Sequence, residues 1–161
     1  MDSPFDFSSI ALVGLAGLLG AVIGIEREIA DKPAGLRTHI FVAVASALLV
    51  LLAKSVMESF QRDGSDVRIE GDPIRIIQAI IIGISFLGTG TIIHQRGGNV
   101  EGLTTAASLF LTAGIGIAVG VGRVWLAAHT TLLALVILVV VSWIERRLLG
   151  KPPKDKELAH N

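Results

Sequence analysis

The sequence predicts an all-α, polytopic membrane protein with about five transmembrane helices packed through Gly-rich faces. Apolar residues make up 52% of the 161 residues and charged residues only 17%, whereas soluble domains carry about 25% charged residues. A soluble globule of this size could not bury so much apolar surface. In addition, five long stretches contain no Asp, Glu, Lys or Arg, and a helix needs about 17–25 apolar residues to cross a bilayer. These stretches are 7–25, 38–53, 76–95, 102–122 and 124–144.

Each predicted helix follows from one of these stretches. The first comes after an acidic segment without Lys or Arg, so it lacks the basic start of a signal peptide. The second stretch is short, but Lys54 can extend its charge toward water and lengthen the helix. Pro73 suits the first turn of the third helix. Continuous apolar runs near 20 residues argue against barrel strands, which alternate in polarity. The predicted spans are 8–25, 37–57, 74–93, 103–122 and 124–144, followed by a short basic cytoplasmic tail at 146–161.

The distribution of Lys and Arg predicts the orientation. Five spans place nine Lys and Arg residues on the side of the C-terminus and five on the other side. Positive residues accumulate on the cytoplasmic side, so we expect the N-terminus outside and the C-terminus in the cytoplasm.

Glycines predict which helices pack closely. Small residues let helices approach each other in lipid, and the first, third and fourth spans are rich in Gly whereas the fifth has none. We therefore expect helices 1, 3 and 4 to form a tight core and helix 5 to be the most exposed to lipid. The predicted packing glycines are Gly20, Gly24, Gly88, Gly90, Gly116 and Gly120.

The residue types argue against an enzymatic function. The chain has no Cys, which excludes a thiol nucleophile and a Cys-ligated metal. The four His residues lack the spacing of a zinc site, and no charged residue lies in the middle of a span. The net charge of +0 gives no basic field for nucleic acid. We expect no catalytic residues and no cofactor; Mg²⁺ is the one ion that stays a candidate ligand.

Two polar segments flank the helices on the predicted cytoplasmic side, one after helix 1 and one between helices 3 and 4. One interpretation is a polar cup that holds a cation or a partner protein, framed by a pair between Glu26 and Arg37. The other is anchoring of the basic residues at lipid headgroups. Mg²⁺ prefers oxygen ligands, so the candidate ligands are Glu26, Asn99 and Glu101. The predicted cup consists of Glu26, Arg27, Arg37, Thr38, His39, Asn99, Thr104 and Thr105.

Several sequence blocks carry a family resemblance. They are Gly20-x-x-Ile23-Gly24-x-Glu26-Arg27, Lys-Pro-Ala-Gly-Leu-Arg-Thr-His at 32–39, Phe-Leu-Gly-Thr-Gly at 86–90, Gly-Asn-Val at 98–100 and Gly-Leu-Thr-Thr-Ala-Ala at 102–107. The chain resembles the MgtC/SapB family of bacterial inner-membrane proteins, and the resemblance assigns 1–145 to its transmembrane domain. It implies a role in survival at low Mg²⁺ and, in pathogens, in growth inside host cells. The best-known members of the family are implicated in restraining the membrane ATP synthase. It also implies a functional role for Asn99.

Together these observations give two hypotheses for function. The first is a non-enzymatic protein of Mg²⁺ homeostasis that binds and regulates another membrane protein. The alternative is a small oligomeric transporter or channel for a divalent cation such as Mg²⁺. In both cases we expect the lipid bilayer as environment, a homo-oligomer and no nucleic acid.

Overall fold

Five long helices make up most of the computed structural model, which describes residues 7–62, 73–94 and 100–148. Each helix contains a segment long and apolar enough to cross a membrane, which confirms the predicted fold class. A hairpin of two short antiparallel strands joins the third and fourth helices. The elements are α1 (Phe7–Ile29), α2 (Leu36–Arg62), α3 (Pro73–Thr91), β1 (Ile93–His94), β2 (Val100–Glu101), α4 (Leu103–Gly120) and α5 (Val124–Leu148).

The helix bounds differ from the predicted spans where polar residues continue a helix past its apolar part. α1 extends beyond residue 25 to Ile29, so Glu26 and Arg27 lie on its last turns and not in a loop. α2 continues to Arg62, whereas α3 ends at Thr91 because the chain then enters the hairpin. The part of the predicted tail after Leu148 lies outside the described residues.

α2 and α4 lie at the centre of the bundle, and α2 packs against both α1 and α4. A Cβ added to Gly20 on α1 would lie 2.6 Å from the carbonyl oxygen of His39 and 2.9 Å from Cβ of Ala43. A Cβ added to Gly116 on α4 would overlap the carbonyl oxygen of Ala43 from the other side. The backbones of three helices therefore meet around one alanine.

The predicted core of helices 1, 3 and 4 is therefore wrong in one member. Glycine is not the only residue that permits close packing, because Ala and Ser permit it as well, and α2 presents Ala43, Ser46 and Ala47 in its buried face. α3 instead packs on α4 through one narrow stripe, where Ile80 and Ile84 join the core.

The six predicted packing glycines do not behave alike. Gly24 approaches Leu36 at 2.8 Å and Gly120 approaches Val50 at 2.8 Å, measured from an added Cβ, whereas Gly88 makes only ordinary contact with Ala106 at 3.4 Å. Gly90 has no heavy atom within 4 Å, which contradicts its assignment to packing within the chain. It lies on the side of α3 that faces away from the bundle.

α5 lies at the edge of the bundle and carries an aromatic residue near each end. Trp125 and Trp143 are both exposed, and their 18-residue separation corresponds to about 27 Å of helix. Tryptophans favour the two membrane interfaces, which lie about 30 Å apart. The prediction that α5 is the most lipid-exposed helix needs correction, because α3 is buried to the same small extent.

Candidate functional site

The turn between α1 and α2 is fixed by hydrogen bonds at the end of α1. The amide N–H groups of Asp31 and Lys32 donate to the carbonyls of Glu28 and Arg27, at 3.1 and 3.0 Å. Asp31 adopts a left-handed conformation with φ 52°, as a residue does where a helix ends in this way. The turn is therefore a compact connection that brings the start of α2 back against α1.

Glu28 holds the beginning of α2 in place. Its Oε2 accepts a hydrogen bond from the amide N–H of Leu36 at 2.8 Å, and a carboxylate at a helix N-terminus satisfies an otherwise unpaired donor and favours the helix dipole. A Cβ on Gly35 would overlap this carboxylate, so the glycine leaves room for the cap. Sequence reasoning missed this role, because nothing in the spacing marks a cap eight residues away.

Glu26 and Arg27 form an ion pair at the end of α1. Nε of Arg27 donates to Oε2 of Glu26 at 2.5 Å and Nη2 donates to Oε1 at 2.9 Å. The Arg27 side chain is 3% exposed and that of Glu26 is 14% exposed. Both carboxylate oxygens are thus engaged by the neighbouring residue, and the expected partner Arg37 is exposed instead.

His39 links α2 to α4 at the same end of the bundle. The ring is fully buried, with Nδ1 2.9 Å from the Gly35 carbonyl oxygen and Nε2 3.1 Å from Oγ of Ser108. A carbonyl can only accept, so Nδ1 carries the hydrogen of this bond. The Ser108 hydroxyl also lies 2.8 Å from the Thr105 carbonyl oxygen. Its single hydrogen can be donated either to this oxygen or to Nε2 of His39. The two sequence blocks at 32–39 and 102–107 therefore meet next to this contact.

The start of α4 lies against the end of α3. Gly102 precedes α4 with φ 91°, a conformation that favours glycine, and a Cβ there would overlap the carbonyl oxygen of Thr91. Thr105 is buried in the first turns of α4 and Thr104 is exposed. Both connections, the α1–α2 turn and the hairpin, thus lie at one end of the bundle, as the cup hypothesis requires.

The structure divides the described residues of the predicted cup into three groups. Arg27, His39 and Thr105 are buried, and Arg37 and Thr104 are exposed; Glu26 and Thr38 are half-buried. Asn99 lies outside the described residues. Within 7–62, 73–94 and 100–148, no three Asp, Glu or His side chains cluster as metal ligands, so the candidates Glu26 and Glu101 are not part of a described cluster. Ser108, which completes the His39 contact, was not predicted.

We call the end of the bundle that carries the α1–α2 turn and the β1–β2 hairpin the loop end. The fold and the loop end define a multi-pass helical membrane protein whose polar residues gather where α1 meets α2 and α3 meets α4. The sequence profile of the MgtC family matches residues 13–147. The chain belongs to the MgtC family, which confirms the resemblance.

Relatives from several bacteria match most of the chain. It is 36% identical to Protein SapB of Bacillus subtilis over 91% of its length, and 38% identical to Protein MgtC of Brucella abortus over 80%. It is 36% identical over 85% of its length to an Escherichia coli protein named "Putative magnesium transporter YhiD". The chain covers 62%, 48% and 62% of these three proteins. No solved structure matches significantly.

Proposed function

We propose that the chain is a non-enzymatic protein of the bacterial inner membrane that serves Mg²⁺ homeostasis and adaptation to low Mg²⁺ by binding and regulating another membrane protein. Membership of the MgtC family and the name of the YhiD relative support the link to Mg²⁺. The N-terminus lies outside and the C-terminus in the cytoplasm, which places the loop end of the bundle on the cytoplasmic side. A reporter fused after Asn161 tests this orientation, and we expect a cytoplasmic signal.

The observation that carries the proposal is that the buried polar side chains already have hydrogen-bond partners within the chain. Among the described residues, no buried side-chain nitrogen or oxygen lacks such a partner. Thr112 and Thr131, for example, donate to the carbonyls of Ser108 and Ala127 on their own helices. An ion path through one chain would need polar groups free to replace water around the ion. The exposed side chains of the loop end are better suited to contact a partner.

The alternative is a small oligomeric transporter or channel for Mg²⁺, with a path formed between several copies. The YhiD name and the acidic residues Glu26 and Glu101 at the loop end favour it. Mg²⁺ keeps most of its waters and is bound through one or two carboxylates, so such a path would not need a cluster within one chain. No cofactor is part of either proposal, apart from the ion itself.

Surface variants separate recognition from folding. Arg37 and Thr104 are exposed at the loop end, so Arg37→Ala and Thr104→Ala remove no buried contact. Lys32→Ala changes an exposed residue of the same turn and is the matched control. We expect the first two variants to lose growth at low Mg²⁺ and to lose a crosslinked membrane partner, with unchanged membrane abundance. Lys32→Ala retains both.

A flux measurement decides between the two functions. The purified protein is reconstituted in liposomes that contain a Mg²⁺-sensitive dye, and we expect no flux above that of empty liposomes. Mg²⁺ uptake above that of empty liposomes would overturn the regulator in favour of the transporter. Normal growth of the Arg37→Ala, Thr104→Ala double variant would show that the loop end does not recognise a partner.

A further inference from the structure

The C-terminal end of α5 holds an arginine against an aromatic ring where the membrane span ends. Cζ of Arg147 lies 4.8 Å from the centroid of the Trp143 ring, within the range in which a guanidinium is attracted to an aromatic face. Both side chains are exposed. The apolar segment of α5 ends at Ile144, and tryptophans favour the membrane interface. The pair therefore lies at the level of the lipid headgroups.

The surface next to this pair is suited to a lipid chain. Four exposed residues follow one another along one face of α5 at helical spacings of four, three and four, and we call them the α5 stripe. The stripe changes from aliphatic to aromatic to cationic toward the end of the helix, as a phospholipid changes from acyl chain to phosphate. The exposed residue His129 lies in the other half of the span and contacts Trp125. The α5 stripe consists of Val136, Val140, Trp143 and Arg147.

The charge of Arg147 is available to a ligand. Neither ion pair that the structure shows within the described residues, Glu26 with Arg27 or Lys54 with Glu58, involves it. The N–H donors of a guanidinium lie in its plane, so stacking on a ring does not cover them. A planar fork of donors held flat on a ring fits the oxygens of a phosphate.

The sequence around Arg147 favours a ligand with a net negative charge. Residues 145–157 contain five Lys and Arg residues and three acidic residues, a net charge of +2. Basic residues that follow a membrane helix attract anionic lipids. A zwitterionic headgroup carries a cation beside its phosphate, whereas an anionic headgroup does not, so the basic surroundings of Arg147 distinguish the two.

We propose that the α5 stripe is a binding site for an anionic phospholipid. The phosphate binds the Arg147 guanidinium, which the Trp143 ring holds in place, and an acyl chain lies along Val140 and Val136. A lipid is the occupant because the stripe runs from the headgroup level into the apolar span, which free phosphate would leave uncovered. The proposal is independent of the proposed function.

The two tryptophans of the chain report on the two ends of α5 separately. Trp125→Phe leaves Trp143 as the fluorescent residue, and Trp143→Phe leaves Trp125, in protein reconstituted in phosphatidylcholine vesicles. Lipids with brominated chains quench a tryptophan that they contact. We expect brominated phosphatidylglycerol to quench Trp143 more than brominated phosphatidylcholine at the same mole fraction, and the two lipids to quench Trp125 equally. No difference at Trp143, or the same difference at Trp125, would overturn the proposal.

Arg147→Ala in the Trp125→Phe protein tests the guanidinium. Loss of one basic residue near an anionic surface is expected to lower the preference for phosphatidylglycerol about fivefold. Arg123→Ala is the matched control, because Arg123 is exposed at the other end of α5 and, within the described residues, is not stacked on a ring. We expect this control to keep the preference. An unchanged preference in Arg147→Ala would refute the site.

A stability measurement separates a bound lipid from free phosphate. A ligand that binds the native state raises the midpoint of unfolding. In detergent, we expect phosphatidylglycerol to raise the midpoint of the wild type, phosphatidylcholine and inorganic phosphate to leave it unchanged, and Arg147→Ala to lose most of the rise. An equal rise with inorganic phosphate would show that phosphate alone binds, and no rise with phosphatidylglycerol would contradict the lipid site.

Discussion

Gly116 lies where α4 comes closest to α2, and one added methyl group tests whether this approach holds the bundle together. A Cβ at Gly116 would overlap the carbonyl oxygen of Ala43 and lie 2.9 Å from Cβ of Ser46. Gly114 lies two residues earlier on the same helix, and a Cβ there meets nothing within 4 Å. Gly116→Ala and Gly114→Ala are therefore the same chemical change in a closed and in an open site.

The expected magnitude follows from the difference between these two sites. Replacing Gly by Ala favours a helix by about 1 kcal/mol at either position, and this gain cancels in the comparison. Overpacking a well-filled core costs about 1–3 kcal/mol, and the group that must move at Gly116 is backbone. We expect Gly114→Ala to be neutral or stabilising and Gly116→Ala to be less stable than Gly114→Ala by about 1–3 kcal/mol.

Thermal unfolding in detergent shows the order of the two variants as a difference in midpoint. The fraction of monodisperse protein after heating is followed for the wild type and the two variants at equal protein concentration. Equal midpoints for Gly114→Ala and Gly116→Ala would show that α2 and α4 are not in backbone contact, and the assignment of α2 to the centre would then fail.

The same unfolding assay checks three further predictions. Glu26→Gln removes the charge that balances a buried arginine, so we expect a loss of about 1.5–3 kcal/mol; stability equal to the wild type would contradict the ion pair. His39→Leu removes a buried ring that bonds two elements and is expected to cost about 1–3 kcal/mol, whereas Ser108→Ala costs about 0.5–1.5, and the reverse order would refute the network. Gly102→Ala is expected to be more destabilising than Gly122→Ala, because both have positive φ but only Gly102 faces a backbone oxygen.

The sequence predicted the number of helices because crossing a bilayer is a local requirement. A span needs about 17–25 mostly apolar residues, and the chain contains four charge-free stretches of 19 to 21 residues and one of 16 that Lys54 can extend. The ends were predicted less well, since α1 continues past its apolar part through Glu26 and Arg27, which pair with each other there. A local pattern of apolar residues does not report such a pair.

The tertiary structure decided which helices and which side chains meet. The contact of His39 with Ser108 joins residues 69 positions apart, and Glu28 finds its partner only because the turn folds back. The central place of α2 depends on Ala43, which lies at closest approach to two helices. Such pairings depend on how each helix is rotated about its axis and on the volume that its neighbours leave, and residue spacing along one helix specifies neither.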